Sequence, residues 1–214
     1  MGIVSSIRVV CFILVVTSIS TVIFAQQPKL ILPVGHTSWV TTAHFSPNGK
    51  LLVTASLDGT AKIWDVRSGI LLANLGVHKD SVLMAQFSPA NNDDKEGGRY
   101  VVTASADKVI KIWDSNSGEL LKHLEGHKGA VNAVQFSPDG TKLLSASADT
   151  SAIIWDVTSG MPLRILRGHN YALASANFSP DGNKVITTSS RSQYAILWNA
   201  ETGDSIAHLI GHKS

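Results

Sequence analysis

The sequence predicts an all-β protein built from four copies of one four-strand unit, and three observations carry the prediction. First, His recurs at positions 36, 78, 127, 169 and 212 and Trp at 64, 113, 155 and 198, at intervals of 42 to 49 residues. Second, the runs between these marks, LLVTAS and TAKIW among them, are rich in β-branched and aromatic residues, the composition of strands. Third, the segments SPNG and SPDG separate such runs, with Pro where a type I turn wants a φ of roughly −65° and Gly at the fourth position.

The cleanest copy runs from Gly126 to Asp156, GHKGAVNAVQFSPDGTKLLSASADTSAIIWD. A Gly-His opens it, an apolar run ends at Phe136, and SPDG turns the chain. A second run reaches Ser147-Ala148-Asp149, and a third closes on Trp155-Asp156. These residues resemble the WD-repeat β-propeller family, and the resemblance covers roughly residues 29–212. It implies four complete four-stranded antiparallel blades forming part of a propeller, whose ring usually holds more blades than four. It implies little about function, because one fold hosts many unrelated activities.

Composition bounds the remainder. The chain has 214 residues, 44% hydrophobic and 16% charged, enough apolar material for a substantial core and against wholesale disorder. A net charge of +2 gives no reason to expect a nucleic acid or an anionic membrane surface as partner. Cys11 is the single cysteine, so there is no intrachain disulfide and no Cys/His zinc spacing.

In chain order, residues 1–25 have the pattern of a secretory signal: Arg8 as the basic start, the apolar VVCFILVV, and Ala25 at a cleavage point. Cleavage after Ala25 is expected, although Ile23 is bulkier than the usual residue at its place, and it would remove Cys11. The alternative is an uncleaved anchor over residues 9–25, at the lower length limit for crossing a bilayer. Residues 26–34 hold a lead-in strand, KLILPV at 29–34. Blade one spans 35–76, with strands near 39–45, 51–56, 60–64 and 70–75.

Blade two, 77–125, is less regular. Val77 stands where Gly should precede His78, and residues 90–97 form a polar insertion, expected as a solvated loop. Blade three spans 126–167. Blade four, 168–210, departs most, with SSRSQYAILW where blade three has SASADTSAIIW and Asn199 after Trp198. Residues 211–214 begin a further repeat at Gly211-His212. Blade four has its own outer strand near 204–210, so the lead-in strand cannot complete it. The expectation is therefore the N-terminal part of a longer propeller, or half of a ring closed by self-association.

Each of the first three copies offers a His/Ser/Asp/Trp set: His36, Ser56, Asp58 and Trp64; His78, Ser105, Asp107 and Trp113; His127, Ser147, Asp149 and Trp155. Blade four keeps His169 and Trp198. Counted from Trp198, Ser192 falls where Asp149 sits; counted from Phe178, Arg191 does. A nucleophilic site occurs once, whereas this set recurs in every blade. The resemblance implies a structural tetrad in which the turn Asp accepts from His, His bonds to Ser, and Ser bonds to the indole. No catalytic residue, cofactor or metal site is expected, since the Gly-His histidines lie one per blade rather than converging.

The Gly-His loop and the turn before the Trp strand fall on one rim, and the resemblance implies that this rim meets partners. Its candidate residues are Trp39, Thr41, Leu57, Ser81, Leu83, Asn132 and Arg191, with Leu57 and Arg191 taken as the residues preceding the turn Asp. Trp39 and Arg191 belong to the types most enriched at binding hot spots. For Trp39 the alternative is packing between blades. The expected function is a non-enzymatic scaffold that binds a protein or peptide and is exported to the periplasm, the envelope or the outside of the cell. One rival is the targeting or assembly propeller of a larger enzyme whose catalytic domain lies beyond Ser214. Another is a scaffold anchored in the membrane by residues 9–25.

Overall fold

The computed structural model describes residues 35–91 and 94–211. The signal-like segment, the lead-in strand at 29–34 and the repeat start at His212 lie outside the described residues. Blade one comprises β1 (Val40–Phe45), β2 (Leu51–Ser56), β3 (Ala61–Asp65) and β4 (Leu71–Leu75); blade two, β5 (Val82–Phe87), β6 (Tyr100–Ser105), β7 (Ile110–Asp114) and β8 (Leu120–Leu124). Blade three comprises β9 (Val131–Phe136), β10 (Lys142–Ser147), β11 (Ser151–Asp156) and β12 (Pro162–Arg167); blade four, β13 (Leu173–Phe178), β14 (Lys184–Ser189), β15 (Tyr194–Asn199) and β16 (Ser205–Ile210). Each blade is a separate antiparallel meander with its strands side by side in chain order. The fold is all-β, an open set of propeller blades.

The burial of each strand follows from its place. The second and third strands are flanked on both sides, and β10 and β11 are buried almost throughout. The outer strand β12, PLRILR, is exposed except at Leu166. Three apolar clusters sit between consecutive blades. Between blades one and two, Val53, Ile63 and Leu75 meet Val82, Phe87, Val101 and Trp113, and the pattern repeats between blades two and three and between three and four. Each blade thus has a forward face and a backward face, and each joint mates one of each.

Among the described residues, the end faces have the same residues without a mate. Phe45 of blade one is 64% exposed, whereas Phe87 and Phe136 at the same register are 3% and 4% exposed. At the other end Leu209 is 47% exposed where Leu75, Leu124 and Leu166 are buried. Their apolar character is that of a blade joint rather than of a solvent-facing sheet.

Two local features explain irregularities in the repeat. A Cβ on Gly126 or Gly168 would stand 3.0 Å from the ring of Trp155 or Trp198, so the glycine before His makes room for the indole. In blade two Gly76 meets Trp113 in the same way, at 3.1 Å, and Val77 is an inserted residue pushed out to solvent. The insertion in blade two does more than face solvent. Glu96 accepts from Asn48 and Lys50 of blade one, and Asn91 donates to the carbonyl of Asp139 in blade three.

Candidate functional site

The hydrogen-bond network begins at the tryptophans. In blade three the indole N–H of Trp155 donates to Ser145 Oγ at 2.8 Å, Ser145 Oγ lies 2.8 Å from His127 Nε2, and His127 Nδ1 lies 2.9 Å from Asp149 Oδ2. Blade two repeats the chain through Trp113, Thr103, His78 and Asp107, and blade one through Trp64, Thr54, His36 and Asp58. An ionised carboxylate can only accept, so the imidazole proton resides on Nδ1. Nε2 then accepts from the hydroxyl, which in turn accepts from the indole. Every donor has one acceptor, with the histidine neutral.

Each aspartate also collects the backbone N–H after its histidine, from Thr37, Lys79 or Lys128, and a second amide from Thr60, Val109 or Ser151. Burial opposes the charge on Asp58, Asp107 and Asp149. Their hydrogen bonds together outweigh it and hold all three carboxyls below the usual range. Burial is also the main reason His78 and His127 titrate below the ordinary value, more than offsetting the pull of Asp107 and Asp149.

The sequence expectation placed Ser56, Ser105 and Ser147 between His and Trp, and this is corrected. The linking hydroxyls are Thr54, Thr103 and Ser145, two residues earlier on the same strand face and ten residues before the Trp. Ser56, Ser105 and Ser147 lie at the strand end, beyond reach of the indole. They accept from the amide of the turn aspartate and donate across to the carbonyls of Ser38, Asp80 and Gly129. A hydroxyl ten residues before the Trp was the available signal.

Blade four diverges at its turn. Ser190 N donates to the carbonyl of Ala172 as Ala148 N does to Ala130, so Ser190 is the residue before the aspartate's place and Arg191 occupies that place. This corrects both the assignment of Arg191 to the preceding position and the alternative of Ser192. Blade four carries one more residue between this turn and its Trp than blade three does, which is why counting from Trp198 misleads. His169 Nε2 keeps its hydroxyl, Thr187 Oγ1 at 2.9 Å, and Trp198 donates to the same oxygen. His169 Nδ1 and Ser189 Oγ, however, are buried without a partner. Burial lowers the His169 pKa, its largest influence, and His208 adds to the effect.

On the rim, Leu57 N donates to the carbonyl of Trp39, and Ser81 Oγ donates to the carbonyl of Leu57 at 3.5 Å. The structure thus brings together Trp39, Leu57 and Ser81 across the first joint. Trp39 is 82% exposed, so it does not pack between blades, and Leu57 is also exposed. Thr41 and Asn132 are committed elsewhere: they donate to the carbonyls of Val82 and Leu173, stapling one blade to the next. Leu83 is half-buried, and Arg191 is exposed on the last blade. Sequence reasoning passed over Val77 and Tyr171, both exposed on this rim, Val77 because it is an insertion. On the opposite rim the Phe-Ser-Pro corners of all four blades line a cavity of about 380 Å³. Among the described residues no group of three or more His, Cys, Asp or Glu is placed to hold a metal ion.

Four meandering blades, three of them with a complete His–Asp–hydroxyl–Trp chain, define a WD-repeat β-propeller, and the chain belongs to that family. The family model that matches it, over residues 39–210, describes the fourth β-propeller of WDR90. Among curated relatives, a retinoblastoma-binding-like protein E of Dictyostelium discoideum is 41% identical over 58 residues, 27% of this chain and 11% of the relative. The COMPASS component SWD3 of Saccharomyces cerevisiae is 38% identical over 50 residues, 23% of this chain and 16% of the relative. A ribosome biogenesis protein WDR12 homolog of Oryza sativa subsp. japonica is 33% identical over 67 residues, 29% of this chain and 15% of the relative. The matches thus span less than a fifth of each relative's length.

Proposed function

We propose that this chain is a non-enzymatic interaction module that presents the Gly-His rim to a protein or peptide outside the cytoplasm. The observation that carries the reading is the exposed Trp39–Leu57 pair, fixed by a backbone hydrogen bond at the first blade joint. A rigid, solvent-facing Trp beside a Leu is the composition of an interface hot spot. The His/Asp/hydroxyl sets in blades one to three are saturated by one another, so none of their groups is left to attack or transfer a proton. Two of the relatives carry names that speak of binding or of membership in an assembly, in keeping with a scaffold. Export rests on the basic, apolar and small-residue order of residues 1–25. The unmated end faces belong, on this reading, to further blades or to a second copy.

Photo-crosslinking in the native host tests the rim. A crosslinkable residue at position 39 or 57 captures a defined protein, and one at Arg67 on the opposite rim does not. Equal capture from both rims, or none from position 39, contradicts the reading. N-terminal analysis of the recovered protein tests export: a start at Gln26 supports it, and an intact Met1 or Gly2 in a membrane fraction favours the anchor.

A further inference from the structure

We infer that the turn of blade four is a receptor for a carboxylate from outside the chain, bound by His169 with Arg191 at its mouth. The comparison among blades carries this. In the first three, the Nδ1 proton of the histidine and the next backbone N–H converge on one carboxylate oxygen at 2.8 to 2.9 Å. Blade four keeps the histidine in the same frame, with Nε2 on Thr187 Oγ1 at 2.9 Å, but has no carboxylate to draw the ring proton to Nδ1. Its Nδ1 has no hydrogen-bond partner, and neither does the hydroxyl of Ser189 beside the turn. A buried polar nitrogen left unmet is costly, and an arriving carboxylate would satisfy it by drawing the ring proton to Nδ1, as in the other blades.

Two substitutions fit the site to an external anion. Arg191 replaces the aspartate, so the acid of the other blades has become an exposed base, the side chain best suited to pair with a carboxylate. Tyr194 stands where Thr60 and Ser151 serve the aspartate in blades one and three. Its ring lies within 8° of parallel to the imidazole, over its face. Nδ1 itself has no exposed surface, so a carboxylate reaches it only as the exposed turn carrying Arg191 gives way. The recognised chemistry is a carboxylate, whether on an Asp or Glu of a protein or free in solution. The inference does not depend on the rim binding a protein.

The test follows the ring nitrogens of His169 by NMR in the full chain, titrated with acetate, with a short peptide bearing one Glu, and with its Gln counterpart. His169 Nδ1 is expected to shift saturably, while His36, His78 and His127, already paired, do not move. Arg191→Asp supplies a carboxylate from within and should abolish the response; Arg191→Ala should weaken it about tenfold, the value of one charge-assisted contact. Unchanged Trp155 indole signals certify the fold of each variant. A response to the Glu peptide alone assigns a protein side chain, and one to acetate alone a small free carboxylate. No saturable response either to acetate up to about 100 mM, well above a weak millimolar affinity, or to the Glu peptide overturns the inference. So does an equal response to the Gln peptide or an undiminished one in Arg191→Asp.

Discussion

The ring of Tyr194 lies over the imidazole of His169, with centroids 5.5 Å apart and planes 8° from parallel. On its other side Tyr194 stacks against His208 at 5.3 Å. Where blades one and three hold His–Asp–Thr and His–Asp–Ser, blade four holds a His–Tyr–His stack. The loss of the carboxylate and of the hydroxyl that serves it in those blades is thus one coupled change, with ring contact replacing a polar network.

Removing that ring should therefore expose the weakness it covers. Tyr194→Ala is expected to destabilise the protein by at least about 1 kcal/mol, from lost stacking plus lost burial. Hydrogen exchange should place the loss in β13–β15 rather than in blade three. A uniform loss across all blades would count against a local role.

The tetrad carboxylate should matter where it is present. Asp149→Ala strands the His127 proton and two backbone amides, and is expected to cost about 1–3 kcal/mol in denaturant titration. Arg191→Ala, at the same place in blade four, should change stability by less than about 0.5 kcal/mol, as exposed substitutions do. Comparable losses at both positions would remove the basis for the tetrad.

Acid should act in two stages. His78, His127 and His169 are held below the ordinary 6.5, so the unfolded chain takes up protons first as pH falls. Their contribution is complete above 6.5 and is lost as pH drops through the lowered folded values. Asp58, Asp107 and Asp149 are held below 3.8, so their contribution is complete above that value and is lost beneath it. Urea midpoints from pH 8 to 3 are expected to be level above about 7, to fall below about 6.5 and to steepen below about 4. A midpoint that rises on acidification contradicts the assignment.

Much of this was legible in the sequence. The period of the His and Trp residues and the Pro/Gly turns place the blades, because a repeat that buries its face only against its neighbour must keep that face at fixed spacing. The partner of each indole was not legible. Thr54 and Ser56 share a strand face, and only register, which sets Trp64 opposite Leu52 and so brings the diagonal Thr54 rather than Ser56 within reach of the indole, tells them apart. The turn of blade four was ambiguous for a related reason: one extra residue shifts the count from Trp198 but leaves the backbone bond from Ser190 in place. Thr41 and Asn132 looked like rim residues because they follow the Gly-His loop. A polar residue there is equally able to reach the carbonyl of the next blade, and both do.

The end faces yield a prediction about association. Phe45 and Leu209 occupy joint positions without a mate, so the purified chain should bind an apolar dye and sediment faster with rising concentration. Phe45→Asp should suppress both with little effect on the melting of the monomer, since Phe45 is largely exposed. A monomer at all concentrations that binds no dye would contradict this.

The central claim is that one chain of hydrogen bonds holds each blade and that in blade four this chain lacks its carboxylate. Exchange of the indole N–H protons tests it most directly, because each is an end of that chain. The proton of Trp198 should exchange faster than that of Trp155, and Arg191→Asp, which restores the acceptor for His169, should narrow the gap. Equal rates in the parent protein, or a gap that Arg191→Asp leaves untouched, would contradict it.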